Sequence, residues 1–309
     1  MTELRPASRF VDLDGPVHYV EHDGPADAPP LVCVHGLNGS HANWHDLGPL
    51  LARTRRVLAL ALAGPGRTPR AGRSASVAGN RELLGRFLDE VVGEPAVLVG
   101  NSMGAAIAML QAAAAPPSVT GLVLLGPALP RARTHVPRPA LARQVALCAV
   151  PRIGERALNR RRTRLAPEQI VQDTLRWTTA DVSSVSAGMR ELAIELAAAR
   201  AAEPDCDAAY LEAARSIGLL VARAASYRAT IASITAPGLV LQGALDRLVP
   251  AAGVRQLHTL QPTWDVHVLP GVGHVPQIEV PGRTAELAQD WLAQRAPAAG
   301  GDTLLAGAS

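Results

Sequence analysis

Ala96-Val97-Leu98-Val99-Gly100-Asn101-Ser102-Met103-Gly104-Ala105-Ala106-Ile107-Ala108-Met109 is the stretch on which the fold of this 309-residue chain turns. Four consecutive apolar residues, Ala96–Val99, suit a strand covered on both faces. The longer apolar run that follows, Met103–Ala115, exceeds a strand and reads as a buried helix. Between them Gly100–Gly104 spells G-x-S-x-G. A strand passing into a helix through so tight a turn needs small residues around the serine, and the turn lifts the Ser102 hydroxyl clear of the sheet. The backbone N–H of Met103 then stands at a helix N-terminus, where it can meet a developing oxyanion. The five residues alone also fit a plain turn with a buried serine; the strand–turn–helix setting favours a nucleophile.

Outward from this stretch, short apolar runs alternate with helical segments, the pattern of an α/β domain with a largely parallel sheet. The strands are expected at Arg9–Leu13, Val17–Glu21, Leu31–Val34, Arg56–Leu60, Ala96–Val99, Gly121–Leu125, Gly238–Gln242 and Val266–Leu269. Helices are expected at Glu82–Val92, Met103–Ala115 and Thr284–Gln294. The alternation stops at Pro127 and resumes near Pro237. The segment between carries helix signals only: Pro167 before Glu168, Asp181 ahead of Val182, and an alanine-rich run from Cys206 to Tyr227. The expected division is therefore a core of residues 1–126 and 237–296, a helical insertion over 127–236, and a disordered tail over 297–309.

A serine nucleophile needs a base, and the base an orienting acid. His274, in Pro270-Gly271-Val272-Gly273-His274-Val275-Pro276, follows the last strand on a glycine-bent loop. His258 and His267 fall inside predicted elements and read as structural. Asp246, in Gly243-Ala244-Leu245-Asp246-Arg247, follows the strand Gly238–Gln242. Ser102, Asp246 and His274 each lie just past the carboxyl end of a strand, where open α/β sheets place their sites. Taken singly, Asp246 also fits a helix cap and His274 a loop histidine; the three positions support one another. The loop Val34-His35-Gly36-Leu37-Asn38-Gly39-Ser40 can present the Leu37 N–H opposite that of Met103, as a second oxyanion donor.

These residues resemble the α/β-hydrolase fold superfamily, and the resemblance runs over most of the chain: His35-Gly36, the turn at 100–104, Gly243–Asp246, Ile231–Pro237, and Gly273-His274-Val275-Pro276-Gln277-Ile278-Glu279-Val280-Pro281. It implies an eight-stranded, mostly parallel sheet with helices on both faces, a helical cap inserted after the sixth strand, and a Ser102–His274–Asp246 triad. Relatives often carry Asp, His and Ser where this chain has Ala61, Pro65 and Thr68, which puts the geometry of that loop in question. Dehalogenases and most epoxide hydrolases of the fold use aspartate as nucleophile, whereas the residue here is serine. The expected activity is hydrolysis of an ester or thioester of an apolar acyl group through an acyl-enzyme. Carbon–carbon bond hydrolysis of the meta-cleavage-product type stays open, as do acyl transfer, perhydrolysis and a non-catalytic hydrolase-like protein that retains a ligand. Asp246-Arg247 resembles a pair in the meta-cleavage enzymes, but Val275 stands where they often have tryptophan.

Composition removes other classes. All 30 basic residues are arginine, so Schiff-base lysines and a P-loop lysine are excluded. No G-x-G-x-x-G occurs, and His41 and His45 share i,i+4 spacing without the glutamate of a zinc protease, so no cofactor or metal is expected. A net charge of +3 gives no nucleic-acid signal. Three distant cysteines outside any CxxC pair, with no apolar leader at Met1–Pro6, lead to the expectation of a reduced, cytoplasmic protein. Between 131 and 164 ten arginines face one acid, Glu155, which suits a solvated face, an anionic partner or a membrane surface. Aromatic residues make up only 3% of the chain, and the insertion is rich in alanine and leucine, a lining suited to aliphatic acyl groups. Oligomeric state is not legible.

Overall fold

The structure, a computed structural model, describes residues 6–64, 66–130, 151–201, 203 and 205–295, with the backbone alone at 151 and 152. Eight strands form one sheet: β1 (Ala7–Asp12), β2 (Pro16–His22), β3 (Leu31–Val34), β4 (Val57–Leu60), β5 (Ala96–Asn101), β6 (Val119–Leu125), β7 (Gly238–Gly243) and β8 (Asp265–Leu269). Their spatial order is β1-β2-β4-β3-β5-β6-β7-β8. β2 is antiparallel to both its neighbours, and every other pair is parallel. From β3 the chain steps to one side to make β4, then returns past β3 to make β5. The order therefore reverses between β3 and β5, which is where an open α/β sheet leaves a crevice at its carboxyl edge.

The described helices are α1 (Leu47–Leu51), α2 (Val77–Phe87), α3 (Met103–Ala114), α4 (Pro151–Arg164), α5 (Pro167–Thr178), α6 (Ala187–Ala201), α7 (Cys206–Ala222), α8 (Ala224–Ala232), α9 (Ala252–Leu260), α10 (Pro276–Glu279) and α11 (Pro281–Ala293). The continuous apolar runs follow from burial on both faces. Val32, Val34, Leu98, Leu122 and Leu124 join Leu84, Phe87, Met109 and Leu257 on the side of α2, α3 and α9. Leu31, Cys33, Val97, Val99 and Leu125 join Leu47, Leu51, Ala285 and Trp291 on the side of α1 and α11. Each fully buried side chain of this size contributes about 1.5–3 kcal/mol.

All regular structure described between β6 and β7 is helical, α4 to α8. Helices α5 and α6 and the turn between them share a small apolar cluster, Val171, Leu175, Val185 and Met189, and two further members, Val275 and Ile278, come from the segment beyond β8 that leads into and forms α10. This segment is thus packed directly onto the stretch that contains His274. The tail expected to be disordered, 297–309, lies outside the described residues, as do residues 131–150 with four of the ten arginines and Cys148. Among the described residues, no helix is long and apolar enough to cross a membrane.

Helix boundaries moved where capping governs them. The helix expected from Glu82 starts at Val77, because Ser76 accepts the Gly79 N–H at 3.1 Å and satisfies a free amide of the first turn. Its last turn, Leu88–Val92, widens to i+5 bonding and ends on Gly93 at φ 73°. The alanine-rich run from Cys206 is two helices, broken at Arg223 where ψ swings to 50°. Asp181 caps only a single 3-10 turn, Val182–Ser184, through the Ser183 N–H.

Candidate active site

The turn at 100–104 has the geometry its glycines permit. Ser102, between β5 and α3, adopts φ 54° and ψ −114°, a conformation that costs a non-glycine residue about 1–3 kcal/mol. The surroundings over-determine it: its N–H donates to the Leu125 carbonyl at 3.0 Å, and its own carbonyl accepts from Ala106 and Ala128 at 3.2 Å. A Cβ on Gly104 would overlap the Val34 carbonyl oxygen, so α3 packs against β3 only because that residue is glycine.

Asp246 and His274 meet beside this turn. His274 Nδ1 lies 2.7 Å from Asp246 Oδ2, with both side chains buried. A carboxylate on Nδ1 fixes the proton there and leaves Nε2 unprotonated, the tautomer a general base needs. The carboxylate itself is saturated. Oδ1 accepts the Leu248 and Val249 N–H groups at 2.8 and 2.9 Å, and Oδ2 also accepts Gln242 Nε2 at 2.9 Å. Burial opposes ionisation of Asp246, yet the His274 imidazole and the two backbone amides outweigh it and hold the pKa below the usual carboxylate value. Asp246 is therefore an anion over the working pH range.

What brings Ser102 to this pair is the β6 end. Gly126, at φ 50°, has no room for a side chain: a Cβ there would stand 2.8 Å from the His274 carbonyl oxygen, 3.1 Å from His274 Nδ1 and 3.4 Å from Asp246 Oδ2. The preceding residue, Leu125, is the one whose carbonyl holds the Ser102 N–H. Asn101 completes the junction, donating from Nδ2 to the carbonyls of Leu125 at 2.9 Å and His274 at 3.2 Å. The three residues expected from the sequence thus converge on one corner of the sheet edge.

The loop after β3 lies on the other side of Ser102: a Cβ on Gly36 would be 3.1 Å from Ser102 Cβ. Residues 36–39 form a reverse turn closed by Gly39 N–H to the Gly36 carbonyl at 3.0 Å, with Asn38 left-handed at φ 60°. His35 fixes the peptide that carries the Leu37 N–H. Its Nε2 accepts from the Leu62 N–H at 3.1 Å, so Nδ1 bears the proton and donates to the Gly36 carbonyl at 2.9 Å. That carbonyl and the Leu37 N–H are opposite ends of one planar peptide, so holding the first aims the second. Burial lowers the His35 pKa to about 4, the Gly36 bond opposing and the nearby Arg200 charge assisting, so the ring is neutral at pH 7. The small recess beside both expected donors, Leu37 and Met103, is otherwise lined by Leu62, Ala63, Asn80 and Ala213 among others.

Where the chain departs from its relatives' loop pattern, other residues hold the backbone. Thr68 Oγ1 donates to the Ala61 carbonyl at 2.7 Å and accepts the His18 N–H at 3.0 Å. Asn80 bridges to Ala63 and Ala75. Arg247 turns away from the pocket to donate to the Arg176 carbonyl at 2.8 Å. His258 and His267 are exposed on α9 and β8. Among the described residues no group of three or more His, Cys, Asp or Glu is placed to hold a metal.

Two residues to which the sequence assigned no role, Gln242 and Glu279, brace the candidate site. Gln242 ends an apolar strand and donates to both Asp246 and the Val249 carbonyl at 2.9 Å, which pins the acid's loop. Glu279 accepts the Gly273 N–H at 2.9 Å through Oε1 and the Ala180 N–H at 2.7 Å through Oε2. It ties the His274 loop to the end of α5, and the His274 N–H to Thr178 carbonyl bond, 2.7 Å, does the same. Burial raises the Glu279 pKa, and the amide donors only partly offset it.

A profile of the alpha/beta hydrolase family matches residues 31–287. The chain is 30% identical over 252 residues to a protein of Pseudomonas putida named as the dihydrolipoyllysine-residue acetyltransferase component of an acetoin cleaving system. That match covers 81% of this chain and 60% of the other's length. It is 28% identical over 286 residues to a 2-hydroxy-6-oxononadienedioate/2-hydroxy-6-oxononatrienedioate hydrolase of Cupriavidus pinatubonensis, covering 88% of this chain and 90% of that one. Among solved structures, haloalkane dehalogenase DbeA of Bradyrhizobium elkani superposes with a TM-score of 0.79 at 23% identity, covering 94% of this chain and 98% of its own.

Proposed function

The chain belongs to the alpha/beta hydrolase family, and on that premise we propose that it is a serine hydrolase of esters or thioesters with an aliphatic acyl group. The observation that carries the proposal is the 2.7 Å His274–Asp246 contact at the same corner of the sheet as a Ser102 with positive φ, because together they set an oriented base and a strained serine at the start of a helix. In the proposed reaction His274 Nε2 takes the Ser102 proton as Oγ attacks the acyl carbon, and Asp246 stabilises the imidazolium. The Leu37 and Met103 N–H groups receive the oxyanion, each donor lowering the barrier by about 2.7–4 kcal/mol. His274 then protonates the leaving group, and a water activated by the same nitrogen releases the acid.

Serine at position 102 supports acyl chemistry over the halide displacement named for the DbeA neighbour. The low aromatic content of the chain, 3%, supports an acyl chain without rings. In this reading residues 127–236 act as a cap, and Thr178 and Ala180 are the points where it grips the histidine loop. On α4, Arg156, Arg160 and Arg164 are exposed at i,i+4 spacing and without ion pairs among the described residues, which supports approach of an anionic partner.

The test is steady-state hydrolysis of p-nitrophenyl esters from acetate to dodecanoate, run beside Ser102→Ala. The proposal expects turnover that peaks at a short or medium chain and vanishes in the variant. A second reading, hydrolysis of a 2-hydroxy-6-oxo-dienedioate, draws on the relative from Cupriavidus pinatubonensis, whose match covers nearly its full length. Turnover of such a compound with no activity on any ester of the series would establish it instead.

A further inference from the structure

The oxyanion turn is held from outside the sheet by a single cation. Arg200, in the last turn of α6, donates from Nη1 to the Asn38 carbonyl at 2.9 Å and from Nη2 to the Gly39 carbonyl at 2.6 Å. A longer contact of 3.4 Å joins Nη1 to Asn38 Oδ1. No carboxylate pairs with Arg200 among the described residues, and its Nε is buried without a partner. Burial accordingly pushes its pKa down, with the Cys206 thiol nearby acting weakly the other way.

A half-buried guanidinium without a carboxylate partner carries a desolvation cost that its hydrogen bonds must offset. Here the shortest bonds are charge-assisted ones to two backbone carbonyls. Those carbonyls belong to the turn that carries Leu37, and one of them to a non-glycine residue in the left-handed region. Left alone, Asn38 gains about 1–2 kcal/mol by relaxing towards the right-handed region. That rotation carries its carbonyl away, opens the Gly39–Gly36 bond and releases the peptide that carries the Leu37 N–H. His35 restrains the turn at its start; Arg200 restrains it at its end, from a different part of the chain.

We propose that Arg200 is a positioning residue for the oxyanion hole: by clamping the Asn38 and Gly39 carbonyls it keeps the Leu37 N–H aimed, and it makes that aim depend on α6 being seated against the core. Arg200 touches neither the substrate nor the reacting atoms. The inference rests on the serine-hydrolase reading above and adds to it that the inserted helices help assemble the site.

The experiment compares wild type with Arg200→Gln and Arg200→Lys on p-nitrophenyl butyrate, with thermal midpoints as a control for folding. It also measures inhibition by an alkyl boronic acid, which forms a tetrahedral adduct on the serine. Misplaced catalytic groups cost up to about 10²-fold. Arg200→Gln is therefore expected to lose about 10–10²-fold in kcat with KM changed less than about threefold, and to lose boronate affinity by the same factor. Arg200→Lys, which keeps the charge but not the fork, falls between. In Arg200→Ala, millimolar guanidinium restores part of kcat. Unchanged kcat and boronate affinity in a folded Arg200→Gln, or a raised KM at constant kcat, overturns the inference. If Arg200→Gln does not fold, the same readouts on Arg200→Lys decide. Absence of all esterase activity in the wild type sinks the serine-hydrolase reading and this inference with it; an active wild type beside fully active variants sinks this inference alone.

Discussion

Lowering the pH from 7.5 to 5 perturbs one buried group of the site more than any other, and the effect on stability can be worked out. His35 has an imidazole pKa of about 4 in the folded chain against an ordinary 6.5, chiefly because it is buried. Above pH 6.5 the ring is neutral whether the chain is folded or not, and it contributes nothing to pH dependence. Between 6.5 and 4 the unfolded chain takes up a proton that the folded chain refuses, so stability falls as pH falls. At pH 5 the loss from His35 alone is about 2 kcal/mol, approaching about 3 kcal/mol once pH nears 4. His18 and His41, with pKa values lowered to about 4 and about 3 chiefly by burial, act in the same direction, though less fully because they are less enclosed. Glu279 opposes them: its raised pKa means that the folded chain gains protons first near the carboxylate range, which favours folding there as pH falls. Asp246, held low, matters only below its ordinary value of 3.8. The assay is urea unfolding at pH 7.5, 6 and 5 for wild type and His35→Gln, read as the difference between the two curves. The difference is expected to shrink by about 2 kcal/mol between pH 7.5 and 5. A difference independent of pH would refute the assignment of a neutral, buried His35 holding the oxyanion turn.

Gln242→Leu removes a donor from Asp246 and from the Val249 carbonyl at nearly constant volume; we expect kcat to fall about tenfold with KM little changed, and the acidic limb of the pH–rate profile to move up as Asp246 loses a stabilising bond. Glu279→Gln keeps the shape but replaces an acceptor oxygen facing either the Gly273 or the Ala180 amide with a donor. Stability should drop by about 1–3 kcal/mol in thermal or urea unfolding, and kcat should fall in parallel as the His274 loop loosens. Gly104→Ala places a methyl on the Val34 carbonyl and should unfold the protein or cost at least about 3 kcal/mol, measured by the same unfolding curves; a variant of wild-type stability would show that α3 does not lie as close to β3 as described.

The sheet and the positions of the three candidate residues were legible because each leaves a local mark. Strands buried on both faces read as unbroken apolar runs, so β3, β5, β6 and β7 were placed within a residue or two of where they lie. Ser102 is marked by its glycines, and Asp246 and His274 by their places after strands. The supports were not legible, because they act at a distance in sequence. Gln242 looks like the polar end of a strand until Asp246 folds back on it. Glu279 and Arg200 gain meaning only when α5 and α6 come down on the 273–279 loop and the 36–39 turn. The start of α2 was missed for a nearer reason: Ser76 caps it ahead of its first run of charged residues, in a stretch rich in small residues that reads as loop.

The claim on which the account depends is that Ser102 is a nucleophile activated by His274. Intact-protein mass spectrometry after treatment with a fluorophosphonate measures this directly. One adduct per chain on Ser102 is predicted, none on Ser102→Ala, and labelling slowed by about 10³-fold or more in His274→Gln. Equal labelling of wild type and Ser102→Ala, or a His274→Gln variant that labels at the wild-type rate, would contradict it.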